Sequence, residues 1–227
     1  MIHADNTETG FKAVIFDLDG TLLDTLADLA ASMNRVLDSR GMPVHPLKAY
    51  RKFVGDGAAM LVRRTLPPEH VSDRMVSECL EAFLNDYSRN WDIATRSYPG
   101  VPEMLDALSE MDMRMAVLSN KLQPFTEKCV SRWLSSWDFE MVFGERASVP
   151  KKPDPAGALE IADQMGISPE RFIYVGDTSI DMKTARSAGM LPVGVLWGFR
   201  DGEELIRTGA SKLVSDPMEI PTLVMRP

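Results

Sequence analysis

Two carboxylates, Asp17 and Asp19, follow directly on the apolar run Ala13-Val14-Ile15-Phe16, and Gly20 and Thr21 come next. A turn needs only one Asp and one Gly. Two ionised carboxylates at this spacing repel each other, and a cation or a shared proton between them relieves the repulsion. Polar residues stand just after apolar runs twice more. Ser119-Asn120-Lys121 follows residues 115–118, and Gly176-Asp177-Thr178, with Asp181 beyond it, follows residues 172–175. Lys152 lies in the proline-rich stretch Pro150-Lys151-Lys152-Pro153-Asp154-Pro155, ahead of a helical pattern.

Several carboxylates without His or Cys beside them form a hard, all-oxygen donor set, which suits Mg²⁺ rather than Zn²⁺. His3, His45 and His70 lie outside these clusters and are assigned no role. Ser119, Asn120, Lys152 and the amides around Gly20 are donors for an anion. A cation site beside an anion site fits a phosphoryl group, and a carboxylate can act as the nucleophile toward it. There is no GxxxxGK[ST] motif. Gly55-Asp56-Gly57 only begins like GxGxxG and follows no strand pattern, so a nucleotide-binding loop is not expected.

These residues converge only if the apolar runs lie side by side. From about Tyr98 onward short strand-like runs alternate with helical periods, which implies a parallel sheet covered on both faces. Ligands of such sheets bind outside the carboxyl ends of the strands. Expected strands are residues 13–16, 115–118, 172–175, 192–197 and 212–214. Asp154-Pro155 marks a helix start, and Gly166 and Gly189 mark helix ends. Between Thr21 and Ser119 lie about a hundred residues, whereas a βαβ unit takes about thirty. The surplus carries apolar residues at helical spacing: Leu26, Leu29, Ala30, Met33, Val36 and Leu37, then three further helical stretches as far as Trp91. The expected architecture is therefore α/β, a Rossmann-like open parallel sheet with helices on both faces. Residues 1–24 and 97–227 would form the core, and residues 25–96 an inserted all-helical cap lying over the Asp17 loop.

The four motifs, Asp17-Leu18-Asp19-Gly20-Thr21, Ser119-Asn120-Lys121, Lys152-Pro153-Asp154-Pro155 and Gly176-Asp177-Thr178 through Asp181, resemble those of the haloacid dehalogenase superfamily. The helical insert is similar to the small cap of its phosphoglycolate phosphatase-like branch. The resemblance implies that Asp17 is the nucleophile and Asp19 the acid and then the base, with Thr21 orienting their loop. It implies that Ser119 and Asn120 hold phosphate oxygens or the loop, and that Lys152 neutralises charge on Asp17 and the phosphoryl group. Asp177 would bind Mg²⁺ with Asp17 and the backbone carbonyl of Asp19, and Asp181 would be a weaker or indirect ligand. An acid at Asp19 favours phosphomonoesters over haloacids and phosphonates. The expected activity is Mg²⁺-dependent hydrolysis of a small phosphorylated metabolite through an aspartyl phosphate. A sugar-phosphate mutase, a phosphatase for another metabolite and a non-catalytic phosphate or metal binder are the alternatives.

Selectivity is expected from the insert. Arg51, Lys52, Arg63 and Arg64 flank Gly55-Asp56-Gly57, where a helix begins at Gly57 or Ala58. Exposed amides at a helix start and an arginine together favour an anion. Arg51 or Arg63 is thus expected to point inward and read a substrate carboxylate.

Bulk properties agree with an enzyme of small molecules. The 227 residues carry 25 basic and 33 acidic side chains, a formal net charge of −8, so a nucleic-acid or anionic-membrane surface is not expected. Cys79 and Cys129 form no CxxC pair and are expected to be reduced thiols. No apolar run approaches the ~18 residues of a membrane span, and residues 1–10 carry no basic-then-apolar leader pattern. The expected setting is cytoplasmic, as a monomer or homodimer.

Overall fold

The structure, a computed structural model, describes residues 10–224. His3 and residues 1–9 of the leader-pattern expectation for residues 1–10 lie outside the described residues. The chain begins with β1 (Ala13–Phe16) and leaves the core through β2 (Leu23–Asp24). It then builds α1 (Leu26–Asp38), α2 (Leu47–Phe53), α3 (Ala58–Thr65) and α4 (Asp73–Asn90), and returns through β3 (Arg96–Ser97). The order thereafter is α5 (Val101–Glu110), β4 (Arg114–Leu122), α6 (Gln123–Trp133), β5 (Met141–Glu145), α7 (Ala156–Met165) and β6 (Phe172–Gly176). The chain closes with α8 (Ser179–Ala188), β7 (Leu191–Val195), α9 (Gly202–Thr208), β8 (Lys212–Val214) and α10 (Glu219–Val224).

Six strands form one parallel sheet in the order β5-β4-β1-β6-β7-β8. All four β1 residues are buried, because helices cover both faces. Val14 and Phe16 pack with Met104 and Leu105 of α5, while Ala13 and Ile15 pack with Ile161 of α7 and Ala185 of α8. Phe16 pairs with Val117 on one side and Val175 on the other. The polar residues after these three strands therefore emerge at one sheet edge, as the strand-end argument requires.

The helices from α1 to α4 enclose a separate apolar cluster that includes Met33, Leu37, Val62, Phe83 and Tyr87. A buried carboxylate fastens this block to its own exit. Asp28 in α1 accepts the amides of Ala94 (2.9 Å) and Thr95 (2.8 Å) and the Thr95 hydroxyl (2.7 Å). Both chain crossings between core and insert are paired, Leu23 with Ser97 and Asp24 with Arg96, in an antiparallel ribbon.

Four differences from the sequence expectation have physical causes. β5 was not expected; it is an edge strand, only partly buried, and lacks the continuous apolar signature. The β2–β3 ribbon has two residues on each side, too short for a period. β4 runs on through Ser119, Asn120 and Lys121 to Leu122, with a register shift after Leu118. The helix expected to open with Asp154 as cap and Pro155 as first residue starts one place later, and the Asp154 carboxylate accepts the Ala156 amide at 2.9 Å.

Candidate active site

Asp17 leaves the end of β1 with its amide donating to the carbonyl of Val175 at 2.9 Å. The loop then turns tightly, with the amides of Leu22 and Leu23 both donating to Leu18 O at 3.0 Å. Gly20 stands at φ +93, where only glycine is unstrained, and a Cβ there would overlap the Asp177 carboxylate. The loop thereby rests directly on the β6 end.

Lys152 Nζ donates to Asp17 Oδ1 and to Asp181 Oδ1, both at 2.7 Å, and is itself 3% exposed. No hydrogen bond among the described residues engages Asp17 Oδ2. Asp177 Oδ1 accepts from the Thr21 hydroxyl (3.4 Å), and Oδ2 from the Phe199 amide (2.7 Å). Asp181 Oδ2 accepts the amide and hydroxyl of Thr178, at 3.0 and 2.6 Å. One oxygen from each of Asp17, Asp177 and Asp181 lies within 4.8 Å of the others. Burial pushes Asp17 up to about 7, against the pull of Lys152 and with the repulsion of Asp181 adding to it. Asp177 is raised by burial and then by Asp17 and Asp181. Burial works against the Lys152 cation, but Asp17 and Asp181 hold it well above its usual value.

Three buried carboxylates and one lysine leave two negative charges uncompensated if all are ionised. A dry, all-oxygen cluster of that charge fits a hard divalent cation. Asp17 can hold it through Oδ2, and Asp177 through Oδ1, whose contact with the Thr21 hydroxyl is long at 3.4 Å. Asp181 has both oxygens committed to Lys152 and Thr178, which suits an indirect role.

Asp19 points away from this cluster. Lys121 Nζ donates to both of its oxygens at 3.1 Å and to the Tyr87 hydroxyl at 2.9 Å. Asp17, Asp19, Ser119, Asn120 and Lys121 share the wall of a cavity of about 560 Å³, mouth included, with Gly55 and Gly57 of the insert opposite. Asn120 Nδ2 donates to Lys152 O (3.0 Å) and Gly55 O (3.3 Å), so this amide ties loops together, and Ser119 Oγ accepts the Lys121 amide at 3.2 Å.

Residues 14–195 match the family described as haloacid dehalogenase-like hydrolases. The chain belongs to that family. A phosphoglycolate phosphatase of Pseudomonas putida is 34% identical over 209 residues, 90% of this chain and 76% of that protein. One of Nitrosospira multiformis is 31% identical over 218 residues, 95% of this chain and 96% of that protein. A solved structure from Lactobacillus delbrueckii subsp. bulgaricus, assigned there only provisionally as a phosphoglycolate phosphatase, is similar with a TM-score of 0.89. It is 28% identical and covers 96% of this chain and 100% of that one.

In this haloacid dehalogenase-like hydrolase, two of the four insert residues expected at the site lie elsewhere. Arg51 does not reach the cavity wall. Its guanidinium donates to the carbonyls of Phe199 (3.2 Å) and Gly198, in the loop after β7. Arg63 faces outward and pairs with Asp73 at 2.6 Å. Arg63 lies in the second turn of α3, on the side that faces the start of α4. Lys121, Tyr87 and the Phe199 amide were assigned no role from sequence. Lys121 carries a usable signal, since it directly follows Ser119-Asn120. The other two have none, because their partners are distant in the chain.

Proposed function

We propose that this protein is a Mg²⁺-dependent phosphatase of small phosphomonoesters, with phosphoglycolate as the substrate best supported. The similarity to phosphoglycolate phosphatases over nine-tenths of the chain supports the substrate class. The observation that carries the reaction is the placement of two carboxylates, two residues apart, in different surroundings: Asp17 against Lys152 in the acidic cluster, Asp19 across the cavity against Lys121.

Asp17 attacks phosphorus, the bond from phosphorus to the ester oxygen breaks, and Asp19 gives a proton to the departing oxygen. Asp19 then takes a proton from water, which attacks the aspartyl phosphate and releases inorganic phosphate. Lys152 offsets the negative charge that gathers on Asp17 and the phosphoryl oxygens. Thr21 fixes the loop through Asp177. Ser119 and Asn120 hold the strand end and the two loops that border the phosphoryl position. A bound Mg²⁺, held by Asp17 and Asp177 with the carbonyl of Asp19, would supply charge neutralisation to the phosphoryl oxygens. Residues 25–96 act as a cap that excludes water from the cavity. We place the reaction in the cytoplasm. Among the described residues no helix is long and apolar enough to cross a membrane.

The test is phosphate release from phosphoglycolate by the purified protein, with Mg²⁺ and after chelation. Release that needs Mg²⁺ and vanishes in Asp17→Asn supports the proposal. Release that survives exhaustive chelation contradicts it, and so does an isomerised phosphate ester without free phosphate, the outcome of a mutase.

A further inference from the structure

Lys121 occupies a position that the proposed reaction does not use. Its side chain is 5% exposed and stands on the cavity wall beside the residue that meets the leaving group. Among the described residues it is the only cation lining that cavity. The arginines of the insert are committed elsewhere: Arg51 to the carbonyls of Gly198 and Phe199, Arg63 to Asp73, and Arg64 to Asp56 and the Phe53 carbonyl. Arg200, from the core, donates to the Val54 carbonyl at 2.9 Å, and Lys151 to the Asp56 carbonyl at 3.0 Å. The insert side of the cavity is otherwise apolar, with Leu29, Leu61, Phe83 and Leu84.

We infer that Lys121 binds the carboxylate of a substrate that carries its acid next to the phosphate ester. This deepens the proposed phosphoglycolate activity and rests on it. The geometry follows from Asp19. Its carboxylate must meet the ester oxygen, and Lys121 Nζ stands 3.1 Å from that carboxylate. An acid one carbon from the ester oxygen therefore falls beside Nζ. An acid carried at the far end of a longer chain would reach the apolar wall instead. The ammonium offers three N–H donors, and the Tyr87 hydroxyl, supplied by α4, holds one of them at 2.9 Å. The Tyr87 ring is itself fixed by stacking on Phe83 at 5.5 Å between centroids. Tyr87 thus keeps the cation at the wall while the other two donors turn from Asp19 to the incoming acid. The insert contributes selectivity through a tyrosine that positions a core lysine.

The experiment compares phosphoglycolate with 2-hydroxyethyl phosphate, which has the same length and no charge at that end. In Lys121→Met the ratio of the two kcat/KM values should fall about 10–100-fold, the range of one charge-assisted hydrogen bond. Lys121→Arg should keep most of the ratio. Tyr87→Phe keeps the ring packing and should lower the ratio several-fold, which tests the idea even if Lys121→Met does not fold. A parallel loss on both substrates, with the ratio unchanged in Lys121→Met and Tyr87→Phe, overturns the assignment and leaves Lys121 as a positioning residue for Asp19. So does a wild-type enzyme active on both substrates without preference. Failure of the wild-type protein to release phosphate from any ester is a different result, since it removes the phosphatase reading itself.

Discussion

The backbone amide of Phe199 donates to Asp177 Oδ2 at 2.7 Å, so the acid at the end of β6 and the loop after β7 form one unit. The Phe199 ring packs into the apolar cluster of the insert, and its carbonyl accepts from Arg51. A carboxylate of the acidic cluster is therefore two bonds removed from the helical block.

Arg51→Ala should loosen that connection without touching the cavity. We expect a loss of about 1.5–3 kcal/mol from two hydrogen bonds by a charged donor. Activity on phosphoglycolate and on p-nitrophenyl phosphate should fall together. Arg63→Ala should change stability by no more than about 0.5 kcal/mol, because its ion pair with Asp73 is exposed. Thermal melts and the two kcat/KM values measure both. A selective loss on phosphoglycolate in Arg51→Ala would return carboxylate recognition to the insert arginine.

Asp17→Asn and Asp19→Asn should fail differently. Loss of the acid and base typically costs ~10²–10⁴ in rate, so both variants should be nearly inactive on alkyl phosphates. p-Nitrophenol leaves without protonation, so Asp19→Asn should form a phosphoenzyme that hydrolyses slowly, and Asp17→Asn none. Intact-mass measurement after rapid quenching shows the difference. Phosphoenzyme absent from both variants contradicts the division of roles.

The metal-free protein should lose stability as pH rises. Asp17 titrates at 3.8 when unperturbed and at about 7 in the fold, so the folded state binds its proton more tightly. The stability from that proton is complete below the unfolded value and is lost as pH passes through the folded one; Asp177, also raised, adds in the same direction. Mg²⁺ competes with these protons, so its increment in Tm should be larger at about pH 8 than at about pH 5. Melts with EDTA and with Mg²⁺ at the two pH values give the sign, and a larger increment at the acid end would refute it.

Gly198→Ala should impair metal binding as well as stability. A Cβ at Gly198 would overlap the Asp177 side chain and approach the Gly20 carbonyl at 2.5 Å. Both neighbours belong to the rigid wall of the cluster, so the loop or Asp177 must shift. Calorimetric titration with Mg²⁺ should show weaker binding than wild type. Unchanged affinity and an unchanged melt would show that this approach is not tight in solution.

The parallel sheet was legible because β1 and β6 are buried on both faces and read as unbroken apolar runs. The acidic cluster was legible because Asp17 and Asp177 stand just past such runs, with Asp181 four residues beyond Asp177 in α8. β5 escaped because an edge strand is half wet and its Gly144, required where a Cβ would meet the Lys121 carbonyl at 2.5 Å, interrupts the pattern. The insert residues were misplaced for another reason. Helical spacing tells which side chains share a face, and the expectation that at least one of Arg51 and Arg63 points inward rests only on their flanking Gly55 and Gly57; Arg51 does turn to the core loop at Gly198 and Phe199, though not into the cavity. Which direction α2 and α3 present depends on how four helices pack, and that information is spread over Met33, Leu61, Phe83 and their neighbours.

The ribbon of Leu23–Asp24 with Arg96–Ser97 bears on the order in which the chain can assemble. Ala13 pairs with Arg114, about a hundred residues further on, and contacts of such separation slow folding. If the helices between them form first around their own apolar cluster, the ribbon brings the two ends of that segment together. The loop that β1 and β4 must then close is a short one, and the central strand pairing of the sheet becomes nearly local.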